Sequence, residues 1–102
     1  MKCNIFDSEY EILEEESPTL ALTDSRGTRV GLCDYFEKKI WIKKDINEQE
    51  KKKTLLHELT HAFLYETQLS TKEKYSLEEV CECVGLFGMK MFEIVEEYFK
   101  SE

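Results

Sequence analysis

The stretch TLLHELTHAFLY, Thr54 to Tyr65, constrains this chain more than any other. At 100° per residue Leu55, Leu59 and Ala62 form one apolar stripe, and Leu56, Phe63 and Leu64 widen it almost all round. A helix with that pattern is buried on most of its sides. Its start is marked as well. Asn47 is a good N-cap, Glu50 follows three residues later as in a capping box, and the helix is expected to reach about Glu66. His57 and His61, the only histidines of the chain, fall nearly opposite the Leu55–Leu59–Ala62 stripe, one turn apart on a single face.

Around this helix the sequence offers short elements. KCNIF and YEILEE read as two strands with the polar Asp7–Ser8–Glu9 as their turn. SPTLAL, which holds the only proline, Pro18, reads as a loop or single helical turn, and TDSRGT as a turn. RVGLCDYF and KIWIKK read as strands joined around Phe36–Lys38, with Ile40 and Ile42 on one face and Trp41 on the other. After the polar connector TQLSTKEKY, Ser76 caps a last helix with Glu79 three residues on. That helix is expected to run to about Lys100, with an apolar stripe at Val80, Val84, Phe87, Met91 and Tyr98. Gly85 and Gly88 each weaken it by about 1 kcal/mol relative to alanine, or let another backbone come close.

With 102 residues the chain makes one domain, 1–102, with one modest core. The expected class is α+β: a small antiparallel sheet packed on two main helices. A hydrophobic content of 41% excludes a disordered tail, and no apolar run approaches the roughly 20 residues of a membrane span. The opening MKCNIFDSEYE carries charge too early for a signal peptide, so a cytoplasmic chain with Cys3, Cys33, Cys81 and Cys83 reduced is expected. The formal net charge of −8 repels phosphate backbones and argues against direct nucleic-acid binding.

The two histidines point to a metal. Zinc takes imidazole nitrogens at about 2.0–2.1 Å in a tetrahedron, and an i, i+4 pair supplies two of them. Glu58 lies about 100° round the helix from His57, where a carboxylate reaches a zinc-bound water without ligating the metal. A catalytic site needs a third protein ligand. The thiolates of Cys81 and Cys83 would favour a structural site. Among Glu78, Glu79 and Glu82, only Glu79 sits beside the apolar stripe and faces inward; its competing role is the helix N-terminal cap. Zinc is then expected between the two helices.

TLLHELTHAFLY followed by YSLEEVCECVGLF resembles the ImmA/IrrE-type metallopeptidases, in particular their short phage-like members, and the similarity runs roughly from Val30 to Phe92. The resemblance implies a minimal zincin-like fold, a bound Zn2+ ion and hydrolysis of a protein or peptide substrate, a regulator in a bacterial or phage-infected cell. Carried over by position, His57, His61 and Glu79 bind zinc and Glu58 is the catalytic base. Thr60 stands where the family often has glycine, and Val80 where alanine is common. By the same analogy KKIWIKK holds an extended peptide by edge pairing. With no further histidine in the chain, Tyr35, Tyr65 and Tyr75 are equal candidates to steady the oxyanion. Two other readings stand beside the enzyme. One is a non-catalytic, zinc-stabilised interaction module. The other is a homodimer through the last helix, whose Phe92, Val95 and Phe99 broaden its apolar face.

Overall fold

The computed structural model describes residues 1–16, 23–24, 27–28, 30–67 and 76–100. Its elements are β1 (Lys2–Ile5), β2 (Ser8–Glu15), β3 (Thr23–Asp24), β4 (Gly27–Thr28), β5 (Gly31–Asp34), β6 (Lys39–Lys43), α1 (Glu48–Thr67) and α2 (Leu77–Lys100). The class is α+β, as expected. SPTLAL from Ser17 on, and the connector after Thr67, lie outside the described residues. No helix among the described residues is long and apolar enough to cross a membrane.

Two local hairpins build the sheet. β1 and β2 pair antiparallel with Ile5 opposite Ser8, so the turn is Phe6–Asp7 and not the expected Asp7–Ser8–Glu9. Phe6 takes φ 58°, a left-handed conformation that costs a non-glycine residue about 1–2 kcal/mol. Its ring offsets that cost edge-on against Phe63 and Phe87, with centroids 5.8 Å and 5.1 Å away. In the second hairpin Asp34 Oδ1 accepts the N–H groups of Phe36 and Glu37, each at 3.0 Å, and Lys38 closes the turn at φ 56°.

The join between the hairpins corrects the expected antiparallel sheet. The strand order is β1-β2-β6-β5, and β6 runs parallel to β2, with Ile12 opposite Ile40. The sheet is therefore mixed. A tight turn forces antiparallel neighbours, but residues 16–38 separate β2 from β6, long enough for a crossover. β6 thus lies inside the sheet, hydrogen-bonded on both sides, and β5 takes the edge. Edge pairing by KKIWIKK is excluded by this placement, since both its backbone edges are already used.

Ile5, Tyr10, Ile12, Ile40 and Ile42 on the sheet meet Leu55, Leu59 and Ala62 of α1, and all are fully or almost fully buried. Each such aliphatic side chain contributes roughly 1.5–3 kcal/mol. α2 packs antiparallel on α1: Lys52 Nζ lies over the Phe99 ring, Thr60 Oγ1 meets Met91 Sδ at 3.6 Å, and Phe63 meets Phe87. The buried line of α2 is Cys83, Met91, Ile94, Val95 and Tyr98, with Phe87 partly covered, whereas Val84 is 50% exposed. The expected stripe therefore holds at Phe87, Met91 and Tyr98, with Val80 partly covered, and fails at Val84. Val95, read as part of a dimer face, is turned into the core, while Phe92 stays exposed.

Two carboxylates fasten the helices to the sheet. Glu14 on β2 accepts Lys51 Nζ of α1 at 2.8 Å and the Tyr98 hydroxyl of α2. Glu66, near the end of α1, accepts Ser8 Oγ at 2.9 Å, Tyr10 Oη at 2.7 Å and Lys38 Nζ. Burial raises the Glu66 pKa, but the three donors together outweigh it and hold the group below its ordinary value. A depressed folded pKa gives stability that is fully present above the unfolded value of about 4.3 and is lost as pH falls through the folded pKa. Glu66→Gln is accordingly expected to be less stable than the parent at pH 7 by about 1–3 kcal/mol. The gap should begin to narrow below about pH 4 and close as pH falls through the lower folded pKa, in denaturant titrations run at a series of pH values. A gap that stays constant with pH would show that the charge of Glu66 contributes nothing.

Candidate metal centre and cleft

α1 begins as its sequence dictates. Glu50 N–H donates to Asn47 Oδ1 at 2.8 Å, and Lys51 N–H to the Asn47 carbonyl at 3.0 Å. From this fixed start His57 and His61 emerge one turn apart on the same face, their ring centroids 5.0 Å apart. His57 is exposed and His61 half-buried. Burial, then the neighbouring His57, pushes the His61 pKa down, which favours the neutral imidazole that a metal requires. Glu58 lies beside them, turned against Gly31 of β5, and is only 8% exposed.

These three side chains share a cleft of about 730 Å³ between α1 and the edge strand. Glu50, Lys53 and Thr54 line it from the helix, and Val30, Leu32, Cys33 and Tyr35 from the β5 side. Gly31 sets its depth. A Cβ there would lie 2.5 Å from Thr54 Cγ2 and 3.1 Å from Glu58 Oε2, so only glycine lets β5 come this close to the helix. Of the three candidate tyrosines, Tyr35 lines the cleft. Tyr65 stands behind it, stacked at 4.3 Å between centroids and 10° between planes, with Lys38 Nζ 5.1 Å from its ring. Tyr75 lies outside the described residues.

Glu79 is placed differently. The half-buried Glu79 does face inward more than Glu78 and Glu82, which are exposed. Its carboxylate is engaged in a capping box: Ser76 N–H donates to Glu79 Oε1 at 3.0 Å, and Glu79 N–H to Ser76 Oγ at 3.1 Å. The helix register separates it from the histidines. Lys52 opposite Phe99, Thr60 opposite Met91 and Phe63 opposite Phe87 put His61 level with about Lys90. Glu79 is roughly eleven residues further along α2, on the order of 16 Å at 1.5 Å per residue. Among the described residues, no three His, Cys, Asp or Glu side chains converge in a way that could hold a metal ion.

Cys33 was not singled out by sequence spacing, yet it stands in the cleft. Burial, then the nearby Glu58 charge, pushes its thiol pKa up, which disfavours the thiolate form. The signal that could have found this wall of the cleft is Gly31, a glycine opening a strand, which marks a close approach of another group. Cys81 is exposed and Cys83 buried, so the C-x-C pair does not face one point.

No family model matches the chain, nor does any curated protein or solved structure.

Proposed function

We propose that the chain is a zinc-dependent metallopeptidase that hydrolyses a peptide bond in a protein substrate, a bacterial or phage regulator by the family resemblance, in the cytoplasm. The observation that carries this reading is the cleft in which His57, His61 and Glu58 face an edge strand. The two imidazoles suit two corners of a zinc site. Glu79 is the proposed third ligand. To serve, its carboxylate has to leave the Ser76 cap and the first turns of α2 have to close on His61.

Zinc held there supplies Lewis-acid polarisation of a carbonyl and lowers the pKa of water toward about 7. Glu58, buried beside the cleft, takes the proton of the attacking water and returns it to the leaving amine. Tyr35 donates its hydroxyl to the carbonyl oxygen as charge develops there. Among the described residues β5, not β6, is the edge strand on which an extended peptide can pair.

The second reading, a zinc-stabilised interaction module without turnover, is favoured by the engagement of Glu79 in the cap. Zinc titration against a competing chelator tests the site itself. His57→Ala and His61→Ala should each lose most of the affinity, and so should Glu79→Ala, while Glu78→Ala and Glu82→Ala should bind like the parent. Parent-like binding by both histidine variants would remove the metal centre. Loss in Cys33→Ser with none in Glu79→Ala would move the third ligand to β5.

A further inference from the structure

We propose that the groove between α1 and α2, on the side away from the sheet, is a docking site for a basic amphipathic helix of a partner protein. The groove encloses about 580 Å³, floored by Leu56 and Thr60 of α1 and by Val84, Gly88, Met91 and Phe92 of α2. It is separate from the cleft of the histidines, with which it shares no lining residue.

Three features of α2 converge here. The first is apolar excess. Beyond its buried line, α2 leaves Val84 50%, Phe92 59% and Met89 85% exposed. A surface helix needs an apolar arc of only about 100° to meet its own core, and this one is far wider. The second is the pair of glycines. A Cβ at Gly85 would meet nothing within 4 Å, and one at Gly88 only Val84 Cγ1 at 3.4 Å. Among the described residues, then, nothing uses the room that the glycines leave, although each costs the helix about 1 kcal/mol relative to alanine. Methionine at such a surface adapts to a partner's side chains.

The third feature selects the occupant. The exposed Glu78, Glu82, Glu93 and Glu96 form one helical row with Met89 along the rim, and Glu93 and Glu96 line the groove itself. Antiparallel pairing of two copies about Gly85 and Gly88 lays this row against itself, Glu78 and Glu82 alongside Glu96 and Glu93. Like charges held together in that way oppose self-association. A helix with apolar anchors at i, i+3, i+4 and i+7 and lysines or arginines on its flank satisfies the groove and the row together.

The test uses the full chain and a synthetic 18-residue amphipathic helix of leucine and lysine, with a leucine and glutamate peptide of the same pattern as control. NMR should show the lysine peptide shifting the methyl groups of Val84, Met89 and Met91, and the glutamate peptide shifting none. Glu93→Lys with Glu96→Lys should weaken binding roughly tenfold, as loss of two exposed ion pairs allows. Glu9→Lys with Glu37→Lys, an equal change of net charge elsewhere, should weaken it much less. Equal weakening by the two pairs, or equal binding of the two peptides, overturns the proposal. So does a dimer mass in light scattering that Met89→Ser with Phe92→Ser abolishes, since the occupant is then a second copy. A melting temperature lowered by that double substitution by more than about 4 °C also overturns it, because exposed positions shift stability by only about 0.5 kcal/mol and the face must then be covered by this chain.

Discussion

Glu58→Gln is expected to lower peptide hydrolysis by about 10²–10⁴-fold, the usual contribution of a general base, while zinc stoichiometry and melting temperature stay those of the parent. The separation of effects follows from where the side chain points. His57 and His61 line the more open part of the cleft, whereas Glu58 is buried against Gly31 at its floor. Glutamine matches the shape of glutamate, so the contact with β5 survives while the ability to accept a proton is lost. The measurement is turnover of a cleaved substrate beside metal content by mass spectrometry. Unchanged turnover would remove Glu58 as the base. Loss of the metal would make it a ligand. A parent protein that binds zinc tightly and cleaves nothing would leave the interaction module as the function.

Removing zinc with a chelator is expected to lower the melting temperature by about 15–30 °C. A ligand that binds only the folded state adds about 4 kcal/mol at a thousandfold excess over its dissociation constant. For a domain of about this size each kcal/mol moves the midpoint by roughly 4–8 °C. The size of the effect also reports on Glu79. His57 and His61 both sit on α1, so a metal held by them alone joins nothing. A metal that also takes Glu79 ties the overhanging start of α2 to α1. Calorimetry of the parent and of Glu79→Ala, each with zinc and with chelator, separates these cases. Equal melting of the parent in both conditions would count against a metal that links the helices. An undiminished shift in Glu79→Ala would place the third donor elsewhere.

The α1 start and the histidine face were legible because they depend on residues within one or two turns of one another. Asn47 and Glu50 fix the cap, and the i, i+4 spacing puts both imidazoles on one side whatever the rest of the chain does. The α2 start at Ser76 was legible for the same reason, and so was the alternation of Ile40, Trp41 and Ile42 in β6. The phase of α2 was legible through Phe87, Met91 and Tyr98, but not its edge at residues 83 and 84. Two apolar lines overlap along it, one through Val84 and one through Cys83, and hydrophobicity alone ranks valine above cysteine. Packing on α1 chose the line with Cys83, fully buried, because the small thiol fits there while Phe87, Met91 and Tyr98 fill the rest.

By itself, then, the sequence determined two capped helices, the short strands and a histidine pair beside a glutamate, all set by side chains close in the chain. Tertiary structure alone decided that β6 lies inside a mixed sheet, that β5 with Gly31, Cys33 and Tyr35 forms the wall opposite the histidines, and that Glu79, in its cap, stands at a distance from them. Those outcomes depend on how elements separated by tens of residues dock. Docking is governed by the fit of whole faces and the register of two helices, which no local spacing encodes.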